Sequence, residues 1–208
     1  MNTRFLQRTF QRSRTVAALL ADATTDSLLG IETKRPFWLP PGPRRTEPTP
    51  YAAARAMVGP LALNSGDIVC DLGCGKGRLV CWFSRLPVRL CLGVEFDKTL
   101  ASQAQRNAET VRGRKAPIEI RHADASETDL SEVSVLLMFN PFGADVMAPV
   151  LENLRASLRA RPRRLRIAYA RPAQLHLFDR YPEFRAFQRV LVPNYSGKEE
   201  IVFLAADL

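Results

Sequence analysis

Histidine is scarce in this chain, cysteine is sparse and clustered, and long apolar runs are missing. Each shortage closes off a class of protein. No stretch approaches the roughly 18 apolar residues of a membrane-spanning helix. The N-terminus lacks the apolar core of a secretory signal. The four cysteines, Cys70, Cys74, Cys81 and Cys91, sit in one segment and match no zinc-ligand spacing. They fall in apolar runs, where a free thiol behaves as a small hydrophobe. That predicts a reducing compartment, no disulfides and a cytoplasmic location, with no metal. Of the two histidines, His122 closes an expected strand beside arginines and reads as structural rather than as a base, while His176 lies away from the strand ends. Internal repeats and low-complexity tracts are absent as well.

What remains is ordinary for a globular protein. The 208 residues are 46% hydrophobic and 25% charged, enough for one domain with an appended arm. The formal net charge is +9, nearly all of it arginine. Such an excess favours an acidic partner such as RNA, DNA or an anionic surface. The densest cluster, Arg155, Arg159, Arg161, Arg163, Arg164 and Arg166, falls at an expected helix end and turn. The helix dipole favours cations there in any case. Met1 to Ala21 carries Arg4, Arg8, Arg12 and Arg14 and no acid. A mitochondrial presequence has that composition. The plainer reading is a basic amphipathic helix, with Phe5, Leu6, Phe10, Val16 and Leu20 near one face.

The chain divides at about residue 60. Residues 1–60 predict a helix over Asn2–Ala21 and then a loop or extended arm over Pro36–Pro50, which holds six prolines and a glycine. Tyr51–Val58 is expected to be a short helix stopped by Gly59 and Pro60. Residues 61–208 alternate strand and helix. Strands are expected at Ile68–Asp71, Val88–Glu95, Ile118–Arg121, Val133–Phe139, Leu165–Tyr169, Phe184–Val192 and Glu200–Leu204. Helices are expected at Gly77–Arg85, Lys98–Arg112, Asp145–Arg159 and Pro172–Arg180. This rhythm predicts an α/β fold: a doubly wound, mostly parallel seven-stranded sheet with helices on both faces.

Ligands of open parallel sheets bind beyond the carboxyl ends of the strands. The residues found there are Asp71, Glu95, Asp124 and Asn140. "DLGCGKG", Asp71 to Gly77, follows a strand and opens a helix. Its glycines let backbone N–H groups approach a ligand closely. The spacing is G-x-G-x-G, not the G-x-G-x-x-G of a dinucleotide fingerprint. An acid two residues before the first glycine would repel a pyrophosphate, whereas it suits an ammonium. Glu95, 24 residues after Asp71, ends the next strand, where an acid can accept both ribose hydroxyls. Asp124 can accept from an adenine amino group. The three acids describe an adenosine ligand with a positive centre and no phosphates. Each also has a plainer role: Asp71 as a helix cap, Glu95 as a surface acid, and Asp124 as one of a local group with Glu127 and Asp129.

"VCDLGCGKGR", "GVEFD", "HADA" and "FNPFG", in that order, resemble the class I S-adenosylmethionine-dependent methyltransferases, over about Tyr51 to the C-terminus. With "TPY" upstream, the pattern looks like a bacterial branch distantly similar to the protein-lysine methyltransferases related to Dot1. The resemblance implies S-adenosylmethionine as cofactor and S-adenosylhomocysteine as product. The cofactor-binding set it implies is Tyr51, Asp71, Leu72, Gly73, Cys74, Gly75, Gly77, Glu95, Phe96, Asp124, Ala125 and Asn140. The catalytic set is Asn140, Pro141 and Phe142. In amine-modifying members an Asn or Asp followed by two prolines and an aromatic aims the target nitrogen. Here a single proline stands, which argues against a flat nucleobase amine. The implied reaction is N-methylation of a protein amine of the lysine type, with RNA or a small molecule as the alternative acceptor. Phe37 and Trp38 are expected to wall the substrate side.

Overall fold

The computed structural model describes residues 3–33, 37–39, 44–195 and 197–207; side chains are described from residue 15 on, apart from residues 37–39 and 44–46. Arg4, Arg8, Arg12, Arg14, Phe37 and Trp38 therefore fall outside the described side chains.

The chain opens with helix α1 (Thr3–Leu29). A short antiparallel pair follows, β1 (Phe37–Leu39) and β2 (Arg44–Thr46), then α2 (Tyr51–Leu61). The core continues as β3 (Ile68–Leu72), α3 (Arg78–Phe83), β4 (Leu90–Glu95), α4 (Lys98–Thr110) and β5 (Ile118–His122). It ends with β6 (Val135–Phe139), α5 (Ala144–Ala160), β7 (Arg164–Ala170), the 3-10 turn Leu175–Arg180, β8 (Arg185–Asn194) and β9 (Gly197–Asp207).

The large sheet has seven strands in the order β5-β4-β3-β6-β7-β9-β8. The first five are mutually parallel, while β9 runs antiparallel to β7 and β8. Strand order reverses between β3 and β6, so the crevice lies above Asp71 and Phe139. Burial explains why the central strands are apolar throughout. Every residue of β3 is buried, as are the first four of β6. Alternate residues feed two cores. Val69, Leu137 and Phe203 face Tyr51, Met57 and Leu61 of α2, whereas Cys70, Leu136 and Leu204 face the buried stripe Met147, Val150, Leu151, Leu154 and Leu158 of α5.

Four local expectations need correction. The first helix runs on to Leu29 rather than ending near Ala21, because Asp22 and Asp26 are held by partners rather than left to end the helix. Within Pro36–Pro50 the chain forms β1 and β2; prolines beside short edge strands cost no ladder bond. The second helix passes through Gly59 and Pro60 to Leu61. So near a helix end the proline ring forfeits a single turn bond, and fully buried Leu61 anchors the last turn. Pro172–Arg180 is a 3-10 turn rather than an α-helix.

Candidate active site

The glycine loop is built on β4. Gly73 N and Cys74 N both donate to Val94 O, at 2.9 and 3.0 Å. This folds the segment after β3 back over the neighbouring strand. Gly73 has φ +75°, and a Cβ placed on it would stand 2.7 Å from Pro141 Cβ. The loop therefore abuts the "FNPFG" segment with no room for a side chain. Gly77, with φ +79°, ends the loop against Ala104 of α4.

Two acids flank this loop. Asp71 is 5% exposed, and no donor among the described residues meets its carboxylate. Burial, followed by the charge of Glu95, pushes its carboxyl up to about 8. Glu95 is also buried; its Oε2 accepts from Gly75 N at 2.8 Å and its Oε1 from Asp97 N at 2.9 Å. Burial raises the Glu95 carboxyl and the two amides pull it back. Beside it the Phe96 ring is 73% exposed, an open apolar face at the mouth of the crevice. Asp124 Oδ1 accepts from Ser126 N and Oγ at 2.8 and 2.6 Å, which holds its carboxyl below the usual range. The buried Ala125 leaves its N–H without an acceptor among the described residues.

Opposite the loop, Asn140 follows β6 with φ +42° and donates its N–H to Ala170 O at 3.0 Å. Its side-chain amide is exposed and meets no described partner. A left-handed asparagine between a core strand and Pro141 is local backbone strain. A cleft joins these parts, lined by Asp71, Gly73, Cys74, Gly75, Lys76, Arg78, Leu79 and Phe139, and closed on its far side by Thr33, Glu47, Pro48 and Thr49 of the N-terminal segment.

Tyr51 sits elsewhere than the resemblance implied. Its ring is fully buried, its OH donates to Asp26 Oδ1 at 2.7 Å, and it does not line the cleft. It belongs to a network that the sequence reading missed, centred on Arg78. That guanidinium donates to Asp26 at 2.7 Å, Asp22 at 3.2 Å, Thr33 Oγ1 at 2.8 Å, Thr49 O at 3.1 Å and Tyr195 OH at 3.2 Å. The Tyr195 hydroxyl in turn donates to Asp22. One arginine, the residue after the last loop glycine, thus fastens α1, the N-terminal segment and the β8–β9 turn beside the cleft. The signal was present as an i, i+4 acid pair, Asp22 and Asp26, on a basic helix.

A buried, unpaired carboxylate beside a glycine-lined backbone fits a ligand that brings its own ammonium. An open aromatic face and a free amide at the next strand ends fit a purine. Sheet reversal, loop and strand-end acids define the class: a Rossmann-like α/β domain with its crevice at the carboxyl ends of β3 and β6.

Comparison with known proteins agrees. Residues 69–161 match the sequence model of a family described as a methyltransferase domain. A protein-lysine N-methyltransferase of Saccharolobus islandicus (strain REY15A) is 34% identical over 95 residues, 44% of this chain and 57% of that protein. The match thus spans little more than half of that relative's length. Among solved structures, a SAM-dependent methyltransferase from Aquifex aeolicus superposes with TM-score 0.59 at 14% identity, covering 74% of this chain and 89% of the other. An RNA methyltransferase from Salinibacter ruber, in complex with S-adenosyl-L-homocysteine, gives TM-score 0.55 at 20% identity over 77% and 94%. Residues 69–161 are thus similar to a methyltransferase domain, and the fold around them is the Rossmann-like one of those solved structures.

No helix of the described residues is long and apolar enough to cross a membrane, and among them no group of three His, Cys, Asp or Glu is placed to hold a metal.

Proposed function

We propose that this protein transfers the methyl group of S-adenosylmethionine to the nitrogen of a lysine-type amine on a protein. The observation that carries the reading is the sign of the cleft. Glu47 and Asp71 line it with Lys76 and Arg78; behind them Asp22 and Asp26 hold Arg78, Glu199 and Glu47 hold Arg171, and Glu95 stands beside Asp71. In a chain of net charge +9, six acids against three bases is a local reversal, and Asp71, its carboxyl pushed up to about 8, ionises when a cation lies beside it. That reversal suits a cationic cofactor and then a cationic acceptor.

In this reading Asp71 receives the cofactor's ammonium, Gly73 and Gly75 line its methionine and ribose, and Glu95 receives the ribose hydroxyls. Phe96, Asp124 and the Ala125 N–H hold the adenine. The N-terminal segment, residues 1–60, covers the cleft through Thr33 and Glu47–Thr49. Bound there, the cofactor supplies an activated methyl group and its own leaving group. The residues around it therefore orient and desolvate rather than exchange protons. The Asn140 side-chain oxygen accepts from the acceptor's N–H and fixes its lone pair, with Pro141 and Phe142 shaping the approach. A lysine ammonium ordinarily titrates near 10.4 and must lose a proton first. Removal from water beside a cationic sulfur favours that loss.

A nucleic-acid acceptor has two points in its favour, the net charge and the likeness to an RNA methyltransferase. The densest arginine cluster is largely spent within the fold, however. Arg166 pairs with buried Asp67, Arg155 with Glu183 at 3.0 Å, and Arg161 with Glu132 at 3.3 Å. Arg163 caps carbonyls of Leu130, Val133 and Ser157.

The test is transfer of label from S-adenosylmethionine into lysate fractions, followed by protease or nuclease. Label that survives nuclease and is lost to protease is the expected result. Label lost to nuclease alone would overturn the protein acceptor, and no label in any fraction would overturn the transferase reading.

A further inference from the structure

The carboxyl ends of β6 and β7 carry a second group of side chains, centred on Arg171, at the edge of the cofactor cleft. Arg171 follows β7 in a left-handed conformation, φ +48°. Its Nε donates to Glu199 Oε2 and its Nη1 to Glu47 Oε2, both at 2.8 Å. Its guanidinium carbon lies 4.9 Å from the centre of the Phe139 ring. One aromatic face and two carboxylates thus enclose a single cation. Proteins recognise ligand ammonium groups with this kind of enclosure. Phe139 and Glu47 also line the cleft over the glycine loop.

Glu199 adds an independent observation. It is 4% exposed, and its Oε1 is buried with no hydrogen-bond partner. Arg171 Nε and Asn194 Nδ2 both go to the other oxygen. Burial raises the carboxyl above its usual range. An unfilled buried acceptor is costly, and native structures fill nearly all of them. The two sides of the enclosure also differ in freedom. The Arg171 side chain is 30% exposed and can turn into water, whereas that of Glu199 is 1% exposed and fixed.

We propose that Phe139, Glu47 and Glu199 form the seat for the acceptor's alkylammonium group, and that Arg171 occupies this seat until the acceptor displaces it. The inference rests on the amine reading above and names its recognition site. It accounts for the strained backbone at Arg171, which holds a cation against Phe139 at the cleft's edge. The same seat offers the wrong sign to a phosphate-bearing acceptor.

The experiment titrates n-butylammonium into the full chain loaded with S-adenosylhomocysteine and follows binding by calorimetry. Arg171→Met is expected to bind the amine roughly tenfold more tightly than the parent, because the seat is no longer pre-filled. Adding Glu199→Gln to that variant should remove the gain. Equal affinity of the parent and Arg171→Met, or a gain that survives Glu199→Gln, would overturn the seat. If Arg171→Met does not stay folded, Arg171→Gln serves the same comparison with the same two outcomes. Binding of S-adenosylhomocysteine is measured in the same samples and needs no turnover. A failed seat therefore leaves the transferase reading standing, and a failed label transfer leaves the seat measurable.

Discussion

At the scale of single residues, Asp71 sets the pH behaviour. Its carboxyl is pushed up to about 8 by burial and by Glu95, against about 3.9 in an unfolded chain. Between those values the folded protein holds a proton that the unfolded chain has released. Its contribution to stability is complete below about pH 4 and is lost as pH rises through about 8. In the cofactor-free protein, Asp71→Asn should therefore raise the melting temperature at pH 8 and leave it nearly unchanged at pH 4. The gain is expected at roughly 2–4 °C per kcal/mol recovered. The same variant should lose the upward shift that S-adenosylhomocysteine gives the parent. Gly73 makes the opposite kind of test. A methyl group there meets Pro141 at 2.7 Å on a backbone with φ +75°. Gly73→Ala should push the loop off "FNPFG" and weaken S-adenosylhomocysteine binding at least tenfold by calorimetry, with a melting temperature lower than the parent's.

At the scale of elements, the Arg78 network is the joint on which the cleft depends. Arg78→Met would leave Asp22 and Asp26 buried without their cation, at a cost of about 3–5 kcal/mol. Tyr51→Phe removes only one donor to Asp26, at about 1–2 kcal/mol. Urea unfolding should rank the two variants in that order; the reverse order would mean that the tyrosine, not the arginine, carries the joint. This joint also marks where sequence reading stops. Strands β3, β4 and β6 were legible because strands buried on both faces read as continuous apolar runs. The glycine loop was legible because its requirement is local to Asp71–Gly77. The β1–β2 pair was hidden by the prolines around it. The joint of Asp22, Asp26, Thr33, Thr49, Arg78 and Tyr195 was hidden because its members come from five separate segments. Likewise Glu47, Arg171 and Glu199 meet only when β9 lies beside β7, which no local pattern announces.

At the scale of the whole molecule, the two ends of the sheet differ in charge. Arginines populate the outside and the sheet's amino end, where Arg166 meets Asp67, Leu61 O and Ala62 O, while acids populate the crevice at the carboxyl end. A basic exterior draws the protein to anionic surfaces, whereas the crevice selects a cation. Salt should therefore weaken any loose association with nucleic acid steeply and affect S-adenosylhomocysteine binding far less, since buried pairs are poorly screened. Parallel measurements at low and high ionic strength would check this.

Tyr195, in the turn between the last two strands, reaches Asp22 and Arg78. A chain emerging from the ribosome has made α1 and the glycine loop long before this turn exists. Until the β8–β9 hairpin has been synthesised and laid against β7, α1 has no finished dock. The Arg78 joint is thus completed only once that hairpin has been made, and a chain stalled before it would leave Asp22 without its tyrosine.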